Sequence, residues 1–228
     1  REFATQYRGG AVRVNPGNTL IAQNVRFDRN VAGASPAAAD SAGGAIANEG
    51  TLVVEDSVFL GNRAPGGGAI ANFSGTATVR RSRFLGNFLA SSNTVTEYIS
   101  GGAILAIGGT VNVVDSFFAG NDSDLDSGYG AFQYGGALSA FDGTINVHGS
   151  QFAGNLADVG AVAYVSEETT HNGEIRISSS AFYDNASRRS NPTVLDSIIA
   201  AGGGGTQAAR LELRSSTFVG NTILSVGG

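Results

Sequence analysis

Cys, Met and Trp are all missing from the 228-residue chain. Without Cys there are no disulfides, no thiolate metal sites and no Cys nucleophile, a composition expected of a bacterial exported protein stabilised by architecture rather than by cross-links. Without Met the sequence does not start at an initiator, and a mature product or an excised segment is expected. Lysine is absent as well, so all 14 basic residues are Arg, set against 19 acidic ones for a net charge of −5. That balance argues against nonspecific nucleic-acid binding, which needs a basic surface to displace counterions. No apolar run approaches the roughly 18 residues of a membrane-spanning helix, so no membrane span is expected.

Charge is scarce at 14%, whereas Gly is abundant at 34 residues and apolar residues make up 42%. Such a composition would mean disorder if the apolar residues were scattered. They are instead strictly placed. The segment "DGTINVHGSQFAGN" at 142–155 repeats "GGTVNVVDSFFAGN" at 108–121 and "EGTLVVEDSVFLGN" at 49–62. Seven Phe/Asn pairs three residues apart anchor the repeat: Phe27/Asn30, Phe59/Asn62, Phe84/Asn87, Phe118/Asn121, Phe152/Asn155, Phe182/Asn185 and Phe218/Asn221. Successive Asn residues lie 32, 25, 34, 34, 30 and 36 apart, a period that marks a solenoid, propeller or array.

Ten and eight positions before each Asn the residue is almost always aliphatic, as in Leu52/Val54, Val111/Val113 and Ile145/Val147, with mixed residues between. That alternation is a short strand with one inward face. A second strand opens on Gly-Gly-Ala-apolar in five copies, at Gly9, Gly43, Gly67, Gly101 and Gly135, and weakens to Gly160-Ala161-Val162 and then Ser197-Ile198-Ile199. No helical period appears, and the repeat is too short for a propeller blade of about 40–45 residues. The expected fold is therefore all-β, a right-handed parallel β-helix of about seven coils, with 1–228 as one solenoid domain or a segment of a longer one. Equivalent residues should stack about 4.8 Å apart. Phe then forms an internal aromatic column, Asn a hydrogen-bonded structural ladder at a turn, and the Gly before most Asn residues suits a left-handed turn. Five before each Asn, Ser recurs six times, at 57, 82, 116, 150, 180 and 216.

The tandem GGA-apolar and FxxN motifs resemble the repeats of polymorphic outer-membrane proteins, passenger domains of bacterial autotransporter adhesins. They are similar too to the wider group of right-handed β-helix repeat proteins related in fold to pectate lyases. The resemblance implies export, surface display and adhesion or assembly. It also keeps a polysaccharide-degrading enzyme as the alternative, because one fold hosts both.

For a lyase the resemblance implies clustered acids for Ca²⁺ and a basic residue nearby. Acid and base do share columns: Glu55, Arg80 and His148 stand seven before Asn, and Asp56, Arg81 and Asp115 six before. Cross-coil ion pairing explains these columns more simply than catalysis. Catalytic residues are therefore expected to be none, since only His148 and His171 exist and no nucleophile elbow occurs. The segment "NDSDLDSGYG" carries Asp122, Asp124 and Asp126 at alternate positions, the spacing of a Ca²⁺ loop, but lacks the bidentate Glu. Ca²⁺ is accordingly the one cofactor that the sequence raises. A file of Thr residues at 19, 51, 76, 110 and 144 has the regularity of an ice-binding face, yet β-propensity accounts for it. Asn-x-Ser/Thr occurs at Asn72, Asn121 and Asn185, and glycosylation of the last two would conflict with a buried ladder.

Between each Asn and the next Gly-Gly position the connections run 12, 4, 13, 13, 4 and 11 residues. Two adjacent long ones, 88–100 and 122–134, carry Phe88, Tyr98, Tyr129, Phe132 and Tyr134 beside the Asp cluster. Loops on a rigid scaffold are where binding concentrates, so these aromatics form the expected contact surface, unless the loops fold back over the coils. No amphipathic helix caps either end. Joining one copy's tail to another's head leaves 15 residues between Asn221 and Gly9, close to the longest internal connection. Expected partners are thus a second copy stacked head to tail, or a cell-surface protein or glycan, at the bacterial surface or outside the cell.

Overall fold

The computed structural model describes residues 8–33, 41–89, 100–123, 133–168, 171–189, 197–203 and 209–225. Every element within them is a β-strand, and the strands stack coil on coil into a parallel β-solenoid. The aliphatic alternation forms one seven-stranded sheet: Thr19–Gln23, Thr51–Glu55, Thr76–Arg80, Thr110–Val114, Thr144–His148, Glu174–Ser178 and Arg210–Arg214. The register follows the sequence columns, so that Val111 lies between Ala77 and Ile145. The Phe residues centre a second seven-stranded sheet, from Arg26–Asp28 to Thr217–Val219.

A third sheet starts directly after each Gly-Gly-Ala, with Val12–Val14, Ile46–Asn48, Ile70–Asn72, Ile104–Ala106 and Leu138–Ala140 in parallel, and goes on with Ala163–Glu168 after the weakened Gly160-Ala161-Val162. Beyond these, Ile199–Gly203 continues the parallel order, although its sequence signature has decayed, and His171–Asn172 turns back antiparallel on Ala163–Glu168. This sheet is buried on both faces: the outward Ala47, Ala71, Leu105 and Ser139 are fully inaccessible, as are the inward Ile46, Ile70 and Ile104. A fourth, narrower ladder follows the Asn residues, linking Val31, Arg63, Phe88, Asp122, Leu156, Ala186 and Thr222.

The core is a set of columns. Rings of successive Phe residues stack nearly parallel with centroids 4.4–5.2 Å apart. Stacked rings at about this separation are among the arrangements that aromatic pairs favour, and the spacing between strands repeats that stack from coil to coil. Phe59, Phe84, Phe118, Phe152 and Phe182 are fully buried, each contributing about 2–3 kcal/mol of apolar burial.

Beside them runs the Asn ladder. Each Asn Nδ2 from Asn30 to Asn185 donates to the Oδ1 of the next coil's Asn at 2.8–3.0 Å. The same Oδ1 also accepts the backbone N–H of the earlier Asn, from Asn30 N to Asn62 Oδ1 onward. The second Nδ2 hydrogen of Asn62, and of each later Asn, goes to a Phe carbonyl of the coil before. Asn62, Asn87, Asn121, Asn155 and Asn185 thus use both amide donors and both acceptor positions, which is what a fully buried amide needs.

The Ser column forms a second ladder of the same kind. Each Ser Oγ accepts the backbone N–H of the previous coil's equivalent residue, beginning with Val25 N to Ser57 Oγ. It donates in turn to the carbonyl two residues back.

Both ladders sit next to left-handed corners. The residue before each Asn has φ between 50° and 65°: Arg29, Gly61, Gly86, Gly120, Gly154, Asp184 and Gly220. So does the residue before each Ser-column position, with φ between 46° and 62°: Asn24, Asp56, Arg81, Asp115, Gly149, Ser179 and Ser215.

Candidate binding surface

The side chains that recur are turned inward and bonded to one another, so the surface is built from what changes between coils. On the aliphatic sheet, Thr19, Thr51 and Thr76 are exposed, and Thr110 and Thr144 are half-buried. Further along the same face, Glu174 and Glu212 pair with Arg210, both at 3.1 Å, and Asn146 Nδ2 donates to Asn112 Oδ1 at 3.0 Å. His148 contacts Ser178 Oγ at 3.0 Å.

Of the two acid–base columns at the corner, one pairs from coil to coil and the other does not. Glu55 and Arg80 stand opposite in register, yet Glu55 accepts from Gln23 Nε2 at 2.9 Å. It is Arg81 that grips Asp56 with two bonds, Nε to Oδ1 at 2.8 Å and a terminal nitrogen to Oδ2 at 2.9 Å. Those bonds hold the Asp56 carboxyl below the usual carboxylate range and push the Arg81 guanidinium above its own. Asp28 is likewise lowered, chiefly by its bonds from Arg26.

The corner also forms a groove of about 450 Å³, spanning three coils and lined among others by Arg81, Arg83, Asp115, Phe117, Gly149 and Gln151. Its origin lies in the strand pattern. Ser82, Ser116 and Ser150 point inward, leaving an outward column on each side of them. Arg81, Asp115 and Gly149 form one wall, and Arg83, Phe117 and Gln151, paired in register, form the other. Arg83 lies over the Phe117 ring at 5.8 Å.

The sequence-predicted contact residues separate. Phe88 is exposed on the narrow ladder after Asn, with the Arg63 guanidinium 5.9 Å from its ring. Tyr134 lies on the side that leads into the Gly-Gly-Ala sheet, between Ser100 and Val159, and its ring stacks on Tyr164 at 4.2 Å. Burial, followed by the Asp158 charge, raises its phenol pKa. Tyr98, Tyr129 and Phe132 lie outside the described residues, as do Asp124 and Asp126. Asp122 is half-buried in the narrow ladder between Phe88 and Leu156. All three glycosylation-type Asn residues are fully buried with their amides hydrogen-bonded, Asn72 included.

No family model, no curated protein and no solved structure matches the chain. Among the described residues no helix is long and apolar enough to cross a membrane. The groove escaped sequence reasoning, though one signal pointed to it: "DSFFAGN" doubles the Phe that every other coil has once. Phe118 takes the inward column, so Phe117 must face out.

Proposed function

We propose that this chain is a non-enzymatic, exported β-solenoid of the bacterial surface that adheres to a cell-surface protein or glycan. The division between the two sides of each strand carries this reading. Phe, Asn and Ser recur where they hold the scaffold, whereas outward positions of the same strands differ in charge and size from coil to coil. A rigid rod with a varied exterior is suited to contact rather than to turnover. The corner charges support it too, for Arg81 is engaged by Asp56 and shifted away from acting as a base, and Asp56 is shifted away from acting as an acid.

Fluorescently labelled chain incubated with bacterial and animal cells tests the reading by flow cytometry. Saturable binding, competed by unlabelled chain, is the expected result. Release of unsaturated or reducing ends from acidic polysaccharides would instead establish the lyase or hydrolase alternative.

Head-to-tail association is a second reading, favoured by the edges of the stack. Phe218 is 45% exposed while Phe27, at the other edge, is 8% exposed. Among the described residues, the Asn221 backbone N–H and one Nδ2 hydrogen face no further rung, and nor does the Asn30 Oδ1. Filaments lengthening with concentration, in electron micrographs and light scattering, are expected from this reading. Monodisperse 23.1 kDa particles across a dilution series would remove it.

A further inference from the structure

We infer that the three-coil corner groove is a saccharide-binding site for a sugar bearing a carboxylate or sulfate group, with Arg83 as the anion anchor and Phe117 as the platform. The inference rests on the adhesive reading above and gives it a location and a ligand class.

Arg83 is the starting point. Most described Arg side chains are committed: Arg8 and Arg13 to Glu49, Arg26 and Arg29 to Asp28, Arg81 to Asp56, and Arg176, Arg210 and Arg214 to acidic residues of the last coils. The Arg83 side chain makes no ion pair or hydrogen bond among the described residues; its guanidinium lies over the Phe117 ring. It is exposed at the mouth of the groove in a chain of net charge −5. A planar guanidinium already laid toward an aromatic ring keeps its donor fork free for a carboxylate or sulfate.

The other members suit the rest of a sugar. Phe117, half-buried, occupies the rung beside Arg83 and offers an apolar face to the C–H groups of a pyranose ring. Gln151 follows on the next rung, with both an amide donor and an acceptor for hydroxyls. Across the groove the Asp115 side chain makes no ion pair or hydrogen bond among the described residues, though its charge acts on Arg81 beside it; its oxygens suit hydroxyl donors and repel a second anion. Room for it comes from Gly149, the single Gly of its left-handed column: a Cβ there would collide with Asp115 Oδ1. With Arg81 held by Asp56, one free cation, one carboxylate, one amide and one aromatic face make a site with a place for one negative charge and several hydroxyls. An acidic peptide would use the Arg83 end and meet repulsion from Asp115.

Titration calorimetry and ¹H–¹⁵N spectra on the whole chain, at low salt, test the inference with lactose sulfate, cellobiouronate, neutral lactose and a glutamate tripeptide. Both acidic disaccharides are expected to bind saturably, at least about tenfold tighter than lactose, because only they engage the free fork. Arg83→Gln should weaken them by about tenfold and abolish the preference over lactose, and Phe117→Ala should weaken all sugars by roughly fivefold or more. Arg63→Gln, a free cation on another ladder, should change nothing. Thermal melts identify any variant that fails to fold, and the outward Gln151→Ala then serves in its place. Absence of saturable binding by both acidic disaccharides overturns the inference, as does binding indifferent to Arg83→Gln and Phe117→Ala. Tripeptide binding as tight as that of the acidic sugars overturns the sugar assignment in favour of an acidic peptide. Cell binding that persists while the groove proves silent removes this site and leaves adhesion standing.

Discussion

Asn121 shows what one side chain does in this molecule. Its Nδ2 reaches Asn155 Oδ1 and the Phe84 carbonyl, and its Oδ1 takes the backbone and side-chain N–H groups of Asn87. Asn121→Ala would leave several of these groups buried without a partner, at about 1–3 kcal/mol each. A loss of about 4 kcal/mol is expected, read as a lower urea midpoint. Asn30→Ala should cost only about 1 kcal/mol, since the Asn30 oxygen accepts nothing among the described residues and Asn62 Oδ1 keeps the backbone donor. Equal costs at the two positions would show that stranding the buried partners is not what makes a ladder Asn costly to remove. Phe118→Ala, which opens a gap in the ring column, belongs with the larger core truncations at about 3–5 kcal/mol.

At the scale of the element, the corners separate two kinds of glycine. Gly154 is left-handed with open space around its missing side chain. Gly154→Ala should therefore cost about 1–2 kcal/mol, the conformational penalty alone. Gly44 lies where a Cβ would run into the Gly68 carbonyl of the next coil. Gly44→Ala has to separate two coils, and a loss of at least about 3 kcal/mol is expected. Ser179 occupies a left-handed corner that Asn tolerates better, so Ser179→Asn should raise the melting temperature by the equivalent of about 0.5–1 kcal/mol.

These corners also mark where the sequence was legible. The strands could be read because their residues are chosen by an inward face shared by every coil, and one identity, such as Phe or Asn, fills the column. The left-handed column that holds Asn24, Asp56, Arg81, Asp115, Gly149, Ser179 and Ser215 is constrained only in φ. Five different residue types hide that constraint, and its Asp and Arg residues read as an ion-pair ladder. Ser was visible as a column but not as a ladder, because one hydroxyl serves two backbone groups from different coils. The groove followed from neither periodicity nor composition. It arises only where an inward column separates two outward ones and one corner residue happens to be Gly.

For the whole molecule, proton linkage gives opposite limbs. Tyr134 has a raised folded pKa, so the unfolded chain gives up that proton first. Its contribution is complete below about pH 10 and declines as pH rises above it. Ultraviolet titration should find a phenolate that appears above the ordinary Tyr range, and Tyr134→Phe should flatten the alkaline loss of stability. Asp28 and Asp56 have lowered folded pKa values. Their contribution is present above about pH 4 and is lost as pH falls through the folded values. Asp56 is exposed and Asp28 is half-buried at the surface, so the acid limb should be shallow, weakened by salt, and shallower still in Asp56→Asn. A steep acid transition insensitive to salt would contradict this account.

The Asn and Ser ladders share one direction. In each, the donating N–H belongs to the earlier coil and the accepting oxygen to the later one. Backbone dipoles largely cancel across a sheet, but amides aligned head to tail add, as peptide units do along a helix. The two ladders therefore contribute an electric dipole along the solenoid axis, positive toward the Asn221 edge and negative toward the Asn30 edge. Two such rods lying side by side attract when antiparallel and repel when parallel, and a field should orient them in solution. Transient electric birefringence would detect that orientation, and its amplitude should fall when a ladder Asn in mid-stack is replaced by Ala.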